Sequence, residues 1–223
     1  MTILINGRPL LIAVDGVAAS GKGTLAKRIA AFYGLAYLDT GILYRAVGRS
    51  LIDAGLDPHD VTAATQAAGR LDFSRVDRAR LYCEGAGAAA SVVAAMPEVR
   101  AVLLDFQRKA AKSKDGAILD GRDVGTVVCP DAHVKFFITA TPEARAMRRF
   151  KQLQSMGQDI IYDDVARDLA RRDARDRGRA ASPLVAAADA VSFDTTALNV
   201  EEVLAKAMTA IEKRIEVLSA VET

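Results

Sequence analysis

Apolar positions along the chain fall into short continuous or nearly continuous runs separated by longer amphipathic stretches. The first run is Leu10–Val14; Ala36–Leu38, Ala117–Leu119, Val134–Ile138 and Ala190–Phe193 follow. Strands covered on both faces read this way, because neither face meets water. Between them lie helical patterns over Lys22–Tyr33, Leu43–Ala54, Ser91–Lys112, Pro142–Met156, Asp163–Arg177 and Val200–Leu218. In the last, Val200, Val203, Leu204, Ala207, Ile211, Ile215 and Leu218 keep helical spacing and predict a helix packed on the core. Alternating strands and helices predict an α/β fold: a five-stranded parallel sheet with helices on both faces. Ligands of such sheets sit at the carboxyl ends of the strands.

Two segments break the alternation. Leu56 to Ala90 holds a weak helix, a charged stretch (Asp72 to Arg80) and the Ala/Gly-rich run Gly85–Ala90. It reads as an insert outside the sheet. Phe150 to Ala181 reads as a charged helical hairpin, hinged near Gly157 and Gly178, of the kind that serves as a lid.

Composition narrows the class. With 223 residues the chain is long enough for one α/β domain with inserts. Hydrophobic residues make up 51% of it. Even so, no run approaches the roughly 20 residues of a membrane span. Leu10–Val14 leads directly into Asp15, so it reads as a first strand and not as a signal peptide. Cys83 and Cys129 have neither metal-like spacing nor a disulfide framework, which makes the cytosol the default. The net charge of +2 is nearly balanced, and there is no tryptophan. Both argue against a nucleic-acid coat or a stacking platform.

The strand exits carry the chemistry. After the first strand comes Gly16-Val17-Ala18-Ala19-Ser20-Gly21-Lys22-Gly23-Thr24. Strand, glycine-rich turn and helix are what a phosphate-binding loop needs. Its successive N–H groups point at phosphate oxygens, and the helix N-terminus adds positive potential. Lys22 supplies a mobile cation, and Thr24 a hydroxyl for a magnesium ion. Later exits give Asp39-Thr40-Gly41 with Tyr44 and Arg45, then Asp120-Gly121-Arg122-Asp123, Thr139 with Thr141, and Asp194-Thr195-Thr196. Asp194 is read as a turn residue.

Arginine is concentrated late in the chain, with ten Lys/Arg from Arg145 to Arg179. Arg172, Asp176 and Arg179 share one helical face, as do Arg145, Arg148 and Arg149. Part of this density is a solvated, salt-bridged surface. Because a polyanion on the loop needs cations on its open side, function is favoured for Arg172 and Arg179. His59 and His133 have no catalytic partner nearby in sequence, and no serine-nucleophile motif is present. A phosphate acceptor would need no general base, since its oxygen is already anionic. Three functions stay open at this point: a nucleoside monophosphate kinase, another P-loop kinase of a small metabolite, and a nucleotide switch or nucleic-acid-associated protein.

Taken together, Asp15-Gly16, Ala18–Thr24, Asp39–Gly41 with Tyr44-Arg45, Asp120–Thr126 and Arg172–Arg179 resemble the bacterial cytidylate kinases over nearly the whole chain. The resemblance implies transfer of the γ-phosphoryl group of ATP to CMP or dCMP, with Mg²⁺, in a cytoplasmic monomer that binds neither nucleic acid nor membrane. It implies a core of 1–55, 101–149 and 182–223, an acceptor insert of about 56–100 and a lid of about 150–181. Gly16 to Thr24 would hold ATP phosphates, with Thr24 at the metal and Arg148 on the lid side. Thr40, Arg45 and Arg122 would hold the acceptor phosphate. Ser91, Arg100 and Asp123 would read cytosine, and Asp176 and Arg179 would hold the sugar. Lys22, Arg122 and Arg172 would carry the catalysis. Two departures stand out: Val17 replaces the family's common proline, and the segment between Leu71 and Ser91 is shorter than the family's insert.

Overall fold

The computed structural model describes residues 2–73, 81 and 85–220. A two-stranded hairpin, β1 (Leu4–Ile5) and β2 (Arg8–Pro9), precedes the main sheet. Its turn is Asn6-Gly7, both at positive φ, and Asn-Gly is the preferred dipeptide for such turns. The main sheet contains β3 (Leu11–Gly16), β4 (Ala36–Asp39), β5 (Ala117–Gly121), β6 (Val134–Thr139) and β7 (Val191–Asp194). All four pairings are parallel, in the order β4-β5-β3-β6-β7. The expected five-stranded parallel sheet is therefore present.

Register decides what meets at the carboxyl edge. Asp15 pairs with Gly121, Gly16 with Ile138, and Asp39 with Asp120. The phosphate loop therefore leaves the middle of the sheet, and the two aspartates stand side by side on one flank.

Helices α1 (Lys22–Tyr33) and α8 (Val200–Ala220) pack on the sheet through Leu25, Ile29, Val203, Ala207 and Ile211, against Ile12, Val14, Phe136 and Ile138. Away from the sheet, α2 (Thr40–Asp53), α3 (Val61–Arg70), α4 (Ala86–Val93) and α5 (Pro97–Ala111) share a second core around Leu43, Val47, Leu51, Val93, Val99 and Leu103. A single π-helical turn, Val124–Val128, follows β5. The charged hairpin is α6 (Pro142–Ser155) and α7 (Tyr162–Gly178).

Two expectations change. The pattern over Ser91–Lys112 is two helices: α4 and α5 meet at 96° across Ala94–Met96. Pro97 opens α5, where a missing N–H costs nothing. The Ala/Gly-rich run supplies most of α4. Helix α7 stops at Gly178, and Arg179 is extended (φ −67°, ψ 136°), so the shared face ends one residue early. Cys83 and most of the charged stretch Asp72 to Arg80 lie outside the described residues. Among the described residues, no single helix is long and apolar enough to cross a membrane.

Candidate active site

A cavity of about 800 Å³ opens at the carboxyl edge of the sheet. One end is the phosphate loop. Gly16 sits at φ +150°, and a Cβ there would lie 2.1 Å from the Ile138 carbonyl oxygen of the adjoining strand. Only glycine lets the chain turn so close to β6. Gly21 caps α1 at φ +90°, another position suited to glycine. The first N–H groups of α1 therefore face the cavity beside Ser20, Lys22 and Thr24. Thr195, just past β7, donates its hydroxyl to the Ser20 carbonyl at 2.9 Å and accepts from Arg148 at 3.0 Å.

Charges at this end shift one another. Removal from water, then the adjacent Arg122, lowers Lys22 to about 7. Removal from water, then the adjacent Asp39, raises Asp120 to about 7. Arg172 is likewise brought down to about 9 by burial and by Arg122. A group of cations crowded enough to weaken one another is a site suited to an anion. Oxygen donors stand next to it. Thr24, Asp39 and Asp120 line the cavity, and Asp120 accepts from the Tyr37 hydroxyl at 3.1 Å. Among the described residues, no cluster of three or more His, Cys, Asp or Glu could hold a metal ion alone.

The other end is built from buried ion pairs. Asp123 meets Arg100 in a short contact and Arg179 at 3.7 Å. Asp176 accepts from Arg122 Nε at 2.9 Å and lies 3.9 Å from Arg172 Nε. Burial alone would raise Asp176, but Arg122 and Arg172 reverse that and hold it below its ordinary value. Arg100 also stacks over the Tyr44 ring, 5.5 Å from its centre. The Ser91 hydroxyl is buried without a hydrogen-bond partner, which leaves it able to bond a ligand. Thr40 donates to the Asp120 carbonyl at 2.9 Å.

One buried carboxylate joins the two ends. Asp15, immediately before the loop, accepts from the backbone N–H of Val124 at 2.8 Å and of Gly125 at 2.7 Å. These are the two residues after Asp123. Burial raises Asp15 to about 6, although both hydrogen bonds oppose the rise.

Of the sequence-predicted site residues, Ala18 to Thr24, Thr40, Arg45, Ser91, Arg100, Arg122, Asp123, Arg148, Arg172, Asp176 and Arg179 all line this one cavity. Gly16 and Val17, expected to hold ATP phosphates with them, do not line it, because Gly16 is still turning against β6 there. The expected face of Arg145, Arg148 and Arg149 divides. Arg148 and Arg149 reach the cavity, while Arg145 is buried against Asp173, 2.7 Å away. Asp194 caps its own turn by accepting from Thr196, and His133 accepts from the Leu11 N–H. Sequence reasoning passed over Tyr37, Gln152 and Leu198 to Val200, which also line the cavity. Nothing in their residue types marks them. Asp15 did carry a signal, because an acid is out of place at the end of a continuously apolar central strand.

A sequence profile of the family described as cytidylate kinase matches residues 12–213. The cytidylate kinase of Rhodospirillum rubrum is 55% identical over 203 residues, spanning 89% of this chain and 95% of that protein. That of Azorhizobium caulinodans is 54% identical over 205 residues, spanning 92% and 98%. Among solved structures, a gluconokinase from Sinorhizobium meliloti 1021 superposes with a TM-score of 0.52 at 14% identity, covering 97% of this chain and 99% of that one. That last likeness concerns the fold alone.

Proposed function

The chain belongs to the cytidylate kinase family, and from that premise we propose how its cavity moves the γ-phosphoryl group of ATP onto CMP or dCMP. One observation carries the reading: the phosphate loop and the Arg/Asp cluster face each other across a single continuous cavity. Ala18 to Thr24 hold the ATP phosphates through backbone N–H groups and the N-terminus of α1, while Gly16 shapes the turn that leads into them. Arg148 and Thr195 close the donor side. Thr40, Arg45 and Arg122 hold the acceptor phosphate. Asp176 and Arg179 hold the sugar.

Arg100, Asp123 and Ser91 read the base. Cytosine presents an exocyclic amine donor beside carbonyl and ring-nitrogen acceptors. A carboxylate can take the amine, and arginine can serve the acceptors. Uracil puts an acceptor where the amine was, and would face Asp123 unfavourably.

The acceptor phosphate is already anionic near neutral pH, so its oxygen attacks without a general base. The chain contributes position and charge. Lys22, Arg122 and Arg172 surround the transferring group, where charge spreads over its oxygens in the transition state. The family implies a nucleotide-associated metal, and the oxygens of Thr24, Asp39 and Asp120 fit Mg²⁺. Mg²⁺ keeps several waters and substrate phosphates as ligands, and so needs few protein oxygens. When bound, it would neutralise phosphate charge.

Residues 56–100 serve as the acceptor insert and 150–181 as the lid. The substrates and a buried free Cys129 support the cytoplasm.

A panel of nucleoside monophosphates with ATP and Mg²⁺ tests the reading. CMP and dCMP should be phosphorylated far better than UMP, AMP or GMP. Faster transfer to AMP, or to a sugar or other small metabolite, would replace it with the broader P-loop kinase reading.

A further inference from the structure

Arg145 shares its sequence-predicted face with Arg148 and Arg149, but the structure uses it differently. It is 3% exposed and does not line the cavity. Its guanidinium joins three parts of the chain. Nε donates to the Ala140 carbonyl at 3.0 Å, at the end of β6. Nη1 donates to the Ala18 carbonyl at 3.2 Å, within the phosphate loop. Nη2 lies 2.7 Å from the Asp173 carboxylate on α7.

Asp173 is the next residue after Arg172. It shares a helical face with Asp176, which Arg122 holds from the acceptor side. Helix α7 is therefore gripped by two buried ion pairs, and Arg172 stands one residue before the first gripped aspartate and 3.9 Å from the second. Apolar contact reinforces the first grip, because Ala18 packs with Ala146, Val165 and Leu169. The Ala18 bond also orients the loop. In a trans peptide the C=O and the next N–H point opposite ways. Holding the Ala18 carbonyl towards Arg145 turns the Ala19 N–H away from it.

The geometry points to Arg145 as a positioning residue: it sets the lid arginine Arg172 against the phosphate loop, without touching a substrate. A planar fork with several donors suits this three-way task, and a lysine ammonium does not. The inference rests on the reading that Arg172 acts on the transferring phosphoryl group.

A double-mutant cycle between Arg145→Lys and Arg172→Lys tests it. Arg145→Lys should lower kcat on the order of tenfold, since a misplaced charge costs transition-state stabilisation. The KM for CMP should stay within about twofold, because Arg122 still holds Asp176 on the acceptor side. Arg172→Lys should then cost much less in the Arg145→Lys background than alone. Asp173→Asn, which keeps the shape but removes the charge, should show the same pattern more weakly and serves where Arg145→Lys does not fold. Full kcat in a folded Arg145→Lys or Asp173→Asn variant, or equal losses from Arg172→Lys in both backgrounds, overturns the inference. Arg172→Lys with unchanged kcat in the parent enzyme overturns the reading of Arg172 instead, so the two failures are distinct.

Discussion

The two ends of the cavity are built from different chemistry. The phosphate loop works through backbone: N–H groups, a helix N-terminus and glycines at φ values that side chains resist. The acceptor end works through side chains, as Arg100, Arg122, Arg172 and Arg179 share Asp123 and Asp176. A backbone site tolerates changes of side chain so long as its conformation survives. This accounts for Val17 standing where the family commonly has proline. A site of shared ion pairs behaves the opposite way. Replacing one member leaves a buried charge without its partner, so the disturbance spreads to residues that were not changed.

Breaking conformation should damage the donor end most. Gly16→Ala places a methyl against the Ile138 carbonyl at a strained φ, and should cost about 3 kcal/mol or more of stability. Thermal melting would show it, with loss of ATP binding in whatever folds. A fully stable, active variant would mean that β3 and β6 can separate without harm.

At the acceptor end the expected loss is smaller and more selective. Asp123→Asn keeps the shape but gives up the charge that Arg100 and Arg179 share. It should reduce the preference for CMP over UMP by about tenfold or more, with the KM for ATP little changed. An unchanged ratio would remove Asp123 from base reading.

The smallest effect separates the ends by protons. Lys22 stands at about 7 and so does Asp120. A polyanion on the loop favours the protonated form of each, which raises both values. At pH 8, ATP added without Mg²⁺ should therefore take up protons, and calorimetry in buffers of different ionisation enthalpy would measure this. Release instead of uptake would contradict the crowding of cations around Lys22.

The sheet and the phosphate loop were legible in the sequence for the reason that makes them stable. Buried parallel strands admit few polar residues, so Leu10–Val14 is visible as an apolar run and Val134–Ile138 as one broken only by Lys135, whose ammonium reaches the Pro130 carbonyl and Asp189; the loop's glycines follow from geometry. The elbow between α4 and α5 was hidden, because both helices bury apolar faces and the hydrophobic pattern runs on past the bend. Pro97 was the available signal. The role of Arg145 was hidden for another reason. Spacing reports which residues share a face, but not whether that face meets solvent or a buried carboxylate on another helix. The ion pairs at the acceptor end join β5, α5 and α7, segments far apart in sequence, and local patterns carry no record of such pairings.

The place of β3 in the sheet has a consequence for how the molecule comes into being. It is the first strand of the main sheet to be synthesised, yet its neighbours β5 and β6 emerge only after the whole insert. Until then its N–H and C=O groups have no strand to pair with, and Gly16 has no Ile138 to turn against. The phosphate loop, at Gly16 to Thr24, can thus be assembled only once β6, ending at Thr139, has been made. Closing so distant a contact is slow. A nascent chain that stops before β6 would carry the entire loop sequence and none of its binding site.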